Sequence, residues 1–228
     1  FSFKRDQIIF TSGATEANNA IFAHFSKGLG LKGSCLVSPF EHPSVIDSAK
    51  YWFDQKIIYM PTDGKGLVNL NETSSILEKE KISLVSLMAA NNETGVLQPW
   101  QELAEVCSRN GVYFHCDATQ WVGKLDISGL SNCGSFSASA HKFCGPKGVG
   151  WLATKAPVKM QLGGAQEFGL RGGTENYPAI ASMMVAFNDA QDRISEVNSR
   201  ALWRDEFDKG IVAGIPNSQI LGSDKKRL

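Results

Sequence analysis

"FTSGATEANNAIF", residues 10–22, is the stretch from which the fold is read. A β-branched lead-in (Ile8–Phe10) runs into Thr-Ser-Gly-Ala-Thr and then directly into a segment of helical period, Thr15–Ser26. A strand that turns straight into a helix is the first half of a right-handed crossover. Outward from it the same alternation returns. Further strand candidates are Cys35–Ser38, Lys56–Met60, Ser83–Met88, Val112–Cys116, Gly134–Ser137 and Val149–Ala153. Between the first five strands lie helical stretches at Thr15–Ser26, Pro43–Asp54, Leu70–Lys79 and Pro99–Arg109. Pro43 and Pro99 suit a first helical turn and Gly111 suits a stop. This alternation predicts an α/β fold: a mostly parallel central sheet with helices on both faces. Such sheets take ligands at the carboxyl ends of their strands. From Tyr177 to about Phe207 the pattern is one long helix, or two with a kink.

Composition narrows the function classes. The chain has 228 residues, 43% of them hydrophobic and 20% charged, as in an ordinary globular protein. Its 23 basic and 23 acidic residues cancel, so nothing points to nucleic acid or an anionic membrane. The most apolar run, Ile82 to Ala90, is broken by two serines and is too short to span a bilayer. The five cysteines are an odd number, widely spaced, with no C-x-x-C pair. A disulfide framework or a zinc site is disfavoured, and a reducing, cytoplasmic setting is expected.

The chemistry-bearing groups sit where this sheet would present its functional edge. The start of the helix after Phe10 offers free backbone N–H groups beside hydroxyls, an anion site or plain N-capping with a capping Glu16. "YFHCDATQWVGK" (113–124) delivers Asp117 at a strand end with Gln120 a short turn later. That carboxylate is either a surface cap or the partner of a protonated heteroaromatic nitrogen. "MAANNETGVLQPW" (88–100) ends a strand with two amides and an acid. "FSASAHKFCGPKGVG" (136–150) brings Lys142 next to His141 after a run of small residues that would let a planar ring approach. Lys142 is then a turn lysine beside Gly145-Pro146, or an amine that loses its proton to join a carbonyl as an imine. An anion-binding helix start, a strand-end His42, an Asn, an Asp with Gln, and Ser-x-His-Lys together fit one cofactor. It is phosphorylated, heteroaromatic and carbonyl-bearing: pyridoxal 5′-phosphate.

"TSGATEANN", "EHPSV", "NNETGVLQP", "HCDATQWVGK", "SAHKFCGPKGVG" and "LRGGTEN" closely resemble the NifS-like cysteine desulfurases, pyridoxal-phosphate enzymes of the class V aminotransferase group. The resemblance runs from about Ile8 to Asn176 with the motifs in order. It implies the large domain of the fold type I pyridoxal-phosphate transferases. By this likeness Lys142 forms the imine with the cofactor, and His42 stacks on its ring and helps to move protons. Asp117 pairs with the pyridine nitrogen, Gln120 bonds the phenolic oxygen, and Asn92 lies near that oxygen and the substrate. Ala14 (through its backbone), Thr15, Ser139 and His141 hold the phosphate. Thr174 reaches the phosphate of a neighbouring subunit, implying a homodimer with a shared site. The implied reaction removes sulfur from L-cysteine, giving L-alanine and an enzyme persulfide whose sulfur passes to an acceptor or iron–sulfur scaffold protein. No metal ion is implied.

His42 before Pro43 is alternatively a helix opener. His115 and Cys116 read as core or as residues just behind the site, His24 as a surface residue and Cys144 as structural. Residues 1–210 are expected to form the cofactor-binding large domain, and 211–228 to begin a smaller one. The family's persulfide cysteine and substrate-binding Arg, which belong to that smaller domain, match no motif here. These 228 residues are therefore expected not to turn over cysteine alone. Phe168 stands where the family usually has a basic residue. Selenocysteine lyase, another class V lyase or aminotransferase, and a non-catalytic interaction module are the alternatives.

Overall fold

A computed structural model describes residues 3–28 and 33–228. Seven strands form one sheet: β1 (Ile8–Thr11), β2 (Ser34–Val37), β3 (Ile57–Tyr59), β4 (Ile82–Ser86), β5 (Tyr113–Asp117), β6 (Ser135–Ser139) and β7 (Gly150–Thr154). Their order is β1-β7-β6-β5-β4-β2-β3. Neighbours from β3 to β6 pair in parallel, while β7 runs antiparallel to both β6 and β1. One strand is therefore reversed, and the carboxyl ends of the other six lie along a single edge. This is the expected α/β architecture, with strand boundaries moved by one or two residues.

The strand period of two splits the core into two layers. Cys35, Val37 and Leu84 point to one face, where α1 (Ala14–Ala23) and α2 (Pro43–Phe53) cover them with Ala17, Ile21, Val45, Ala49 and Phe53. Leu36, Val85, Phe114 and Phe136 point to the other, under α3 (Leu70–Lys79), α4 (Trp100–Arg109) and α5 (Tyr177–Asp192). The helix sequences explain this placement. In α4 the buried residues Trp100, Leu103, Ala104 and Cys107 recur at helical spacing and make one apolar stripe. In α2 Pro43 supplies a preset φ at the first position and the His42 side chain caps Ser44 N–H. His42 thus does open a helix, as its alternative reading had it. Each fully buried Leu or Phe in these layers contributes about 1.5–3 kcal/mol.

Beyond β7 the long helical pattern resolves into two helices. A short 3-10 turn at Ile194–Glu196 separates α5 from α6 (Val197–Gly214). The last residues fold back on the turn after β4: Leu97 N–H donates to Lys226 O and Leu228 N–H to Gly95 O, both at 2.9 Å. One reading needs correction. His24 is half-buried on a π-helical turn, with its ring edge-on to Phe25 at 5.0 Å, because the helix tucks its end over the sheet. Cys144 is exposed in a left-handed conformation (φ 66°). Among the described residues no helix is long and apolar enough to cross a membrane.

Candidate active site

At the strand ends between β1 and β6, Ala14 and Ser139 meet. Ala14 N–H, at the start of α1, donates to Ser139 Oγ at 2.8 Å across 125 residues of sequence. Gly150 makes the approach possible, since a Cβ there would strike Ala138 O and lie 2.8 Å from Gly13 Cα. Thr15, next along the helix, is exposed. Glu16 closes the helix start by accepting Ser12 N–H at 2.7 Å, and Arg171 Nε pairs with its other oxygen at 2.6 Å. Burial raises the Glu16 pKa, but hydrogen bonds from Arg171 and Ser12 outweigh it and hold the group below its usual value.

At the end of β5, Asp117 is 5% exposed. Its Oδ1 accepts Thr119 N–H at 3.0 Å and its Oδ2 accepts Asn18 Nδ2–H at 2.9 Å. Asn18, fully buried on α1, also donates to Ser44 Oγ at 2.9 Å, and Ser44 Oγ lies 2.9 Å from His42 Nδ1. Asp117 and the exposed imidazole of His42 are therefore two side chains apart. His115, one pleat below, sits 2.9 Å from Asn18 Oδ1 and 2.8 Å from Ser135 Oγ. Burial drives its pKa down to about 4 against the pull of Asp117, so the ring is neutral. It is a core residue, as expected.

Glu41, beside His42, is a second buried carboxyl. Oε1 accepts Met88 N–H at 2.7 Å, while Oε2 is enclosed without a partner. Burial first, and the Asp117 charge second, raise its pKa well above the usual carboxylate value.

The turn after β6 carries Lys142 and His141, both exposed. Burial, then the charges of Lys142 and Lys147, shift the His141 pKa downward. Gly123 lets the turn after Asp117 press on this one: it has φ +75° and a Cβ there would collide with Phe143 Cβ. Across that contact Lys124 Nζ donates to Gln120 Oε1 at 2.6 Å. Burial and the neighbouring Lys142 push the Lys124 pKa down to about 8. Gln120, Lys124 and Lys142 thus form a second small group.

The remaining predicted residues lie on the rim. Asn92 is exposed and lines an open cleft of about 780 Å³ with Phe40, Glu41 and Pro43. It falls in a turn rather than at the strand end, since β4 stops at Ser86 and Asn91 fastens the turn to Phe40 O at 3.1 Å. Thr174 is exposed above a separate cavity of about 100 Å³ with Thr11, Glu167 and Arg171. Phe168 is 57% exposed at φ 59°, and no contact in the structure explains why it replaces a basic residue.

Sequence reading missed Asn18, Ser44, Asn91 and Lys124. Only Asn18 left a signal: it falls with Ala14, Ala17 and Ile21 on the buried face of α1, where an amide is out of place.

The sheet order and a strand-end edge carrying lysine, aspartate and imidazole define an aminotransferase-like α/β enzyme domain. The chain belongs to the class V aminotransferase family, whose model matches residues 2–227. It is 36% identical over 227 residues to the cysteine desulfurase IscS of Clostridium botulinum strain Hall, covering 96% of this chain and 57% of that protein. A probable mitochondrial cysteine desulfurase of Dictyostelium discoideum is 37% identical over 233 residues, covering 95% of this chain and 50% of that protein. Among solved structures, a NifS-like protein from Rickettsia africae superposes with a TM-score of 0.86 at 31% identity, over 97% of this chain and 61% of that one. The chain thus spans little more than half the length of these relatives.

Proposed function

We propose that this chain is the cofactor-binding part of a pyridoxal-phosphate-dependent cysteine desulfurase. One observation carries the reading: a buried carboxylate, an imidazole, a hydroxyl-lined helix start and an exposed lysine share one sheet edge in a chain of this family. That donor set fits the cofactor. Lys142 supplies an amine, Asp117 an acceptor for a protonated ring nitrogen, and the start of α1 donors for a phosphate. When bound, pyridoxal phosphate supplies an aldehyde that joins amines and a ring that draws electrons from the carbon attached to them.

The chain's own residues do the rest. Lys142 Nζ would hold the aldehyde and, as a free amine, would move a proton at the substrate's α-carbon. His42 covers the ring and carries protons. Asp117 keeps the ring nitrogen protonated, while Gln120 donates to the phenolic oxygen and Asn92 lies near it. The start of α1 at Ala14 and Thr15, with Ser139 and His141, would hold the phosphate, and Thr174 would serve the partner site of a homodimer. In L-cysteine the Cβ–S bond breaks, the sulfur bonds to an enzyme thiolate and the β-carbon takes a proton, leaving L-alanine and a persulfide. We assign that thiol outside these residues, because Cys35, Cys107, Cys116 and Cys133 are buried and the family resemblance places it on a later loop rather than at the exposed Cys144. Residues 1–210 serve as the large domain and 211–228 open the next. The sulfur goes to an acceptor or iron–sulfur scaffold protein, in a reducing cytoplasm that suits five free thiols.

Colour tests the cofactor. Wild-type chain incubated with pyridoxal phosphate and freed of unbound cofactor by gel filtration is expected to stay yellow and, after borohydride, to carry the cofactor covalently, whereas Lys142→Ala emerges colourless and unlabelled. The full-length protein, given L-cysteine and a thiol reductant, is expected to release alanine and sulfide. A preparation that yields neither product is not a desulfurase.

A further inference from the structure

One amide sits between the two groups that matter most at this edge, and its hydrogen bonds have fixed directions. Asn18 is fully buried. Its Nδ2 donates to Asp117 Oδ2 and to Ser44 Oγ, each at 2.9 Å. Its Oδ1 accepts Ser137 Oγ–H at 2.7 Å and faces His115 Nε2 at 2.9 Å. An amide has two N–H groups and two lone pairs, so its capacity is used in full. The flipped amide is excluded, because it would set oxygen against the Asp117 carboxylate.

Directions then follow along the chain of contacts. Ser44 Oγ spends a lone pair on Asn18, which leaves its hydrogen for His42 Nδ1 at 2.9 Å. Ser44 backbone N–H also donates to that nitrogen, at 3.1 Å. With two donors converging on Nδ1, the neutral ring carries its hydrogen on Nε2. At the other end, Asn18 and Thr119 N–H both donate to Asp117 and fix it as an acceptor. His115 accordingly donates from Nε2 to Asn18 and accepts from Ser135 at Nδ1.

We propose that Asn18 is a positioning residue that orients both the Asp117 carboxylate and, through Ser44, the Nδ1 of His42, coupling the two ends of the site through one buried amide. What this coupling serves rests on the cofactor reading given above; the hydrogen-bond directions themselves do not.

Asn18→Asp tests it, because the shape is kept while an ionised side chain can only accept. Ser44 must then turn its hydrogen away from His42, and two carboxylates face each other. Protonating residue 18 restores one donor. The other titratable groups near this point are His115 and Asp117 on β5, Glu41 beyond Asp117, and His42 itself. In ¹⁵N-histidine-labelled chain without cofactor, wild type is expected to show His42 Nδ1 unprotonated and Nε2 protonated. The Nδ1 resonance is expected to move in Asn18→Asp and in the milder Ser44→Ala. With pyridoxal phosphate as the probe, Kd is expected to rise about tenfold or more in Asn18→Asp near pH 9, and to recover toward wild type near pH 5. Asn18→Leu is expected to lose affinity equally at both. A packing role alone predicts no such recovery.

A protonated His42 Nδ1 in wild type, or Asn18→Asp with a wild-type Nδ1 resonance and Kd, would overturn the proposal. Should Asn18→Asp not fold, Ser44→Ala decides: an unmoved Nδ1 resonance there refutes the relay. If wild type takes up no pyridoxal phosphate, the cofactor reading fails, and the cofactor-free resonances still decide the relay.

Discussion

The two faces of strands β5 and β6 are made of different materials. Toward α1 the strands present His115, Asp117, Ser135, Ser137 and Ser139, all buried and each bonded to a named partner. Toward α4 and α5 they present Phe114, Cys116, Phe136 and Ala138. There the order comes from rings packed edge to face: Phe136 on Trp151 at 6.5 Å, and Trp151 on Phe187 at 6.1 Å. Apolar contact is strong but indifferent to direction, whereas a saturated hydrogen-bond network fixes the direction of every group in it. One face therefore holds the sheet together, and the other aims the groups at its edge. Neighbouring residues of one strand divide the two tasks.

This division can be broken at several points. The largest effect is expected on the apolar face, where Phe136→Ala costs about 3–5 kcal/mol of stability in urea titration. The pH behaviour of the polar face should survive that change. Next comes His115. Its ring protonates near 6.5 when unfolded and near 4 when folded, so between those values the unfolded state binds the extra proton. Stability is then level above the window and falls as pH drops through it, by about 3 kcal/mol. His115→Asn should flatten that slope, and a slope that remained would assign it to other groups. Smaller still, Ala138→Ser sets a hydroxyl among rings and is expected to cost about 1–3 kcal/mol. Ser137→Ala takes one of two donors from Asn18 Oδ1, and about 1 kcal/mol is expected. If these adjacent changes proved equal and both silent in the His42 ¹⁵N spectrum, the two faces would not differ as described.

Much of this was legible in the sequence. All seven strands were placed, the first five by strand–helix alternation, because most are short apolar runs bounded by turns. Asp117 and Ser139 end strands at the carboxyl edge because parallel strands finish there, whereas Asn92 and Thr174 lie on the rim. What stayed hidden depends on distant pairing. "SFSAS" reads as small residues making room for a ring, yet each serine is bonded: Ser135 to His115, Ser137 to Asn18 and Ser139 to Ala14 N–H. Asn18 and Asp117 are 99 residues apart, and no local pattern joins them. His24 was misread because a π-helical turn replaces the regular helix there.

The reversed strand has a consequence for how the protein is made. Ile8 pairs with Ala153 and Thr11 with Gly150, so the opening strand has no neighbour until the last one exists. During synthesis, which proceeds from the amino end, β1 leaves the ribosome early and waits while five strands assemble. Its loop closure is the longest in the sheet and seats the start of α1 with it. The first strand of the sheet is thus the last to find its place.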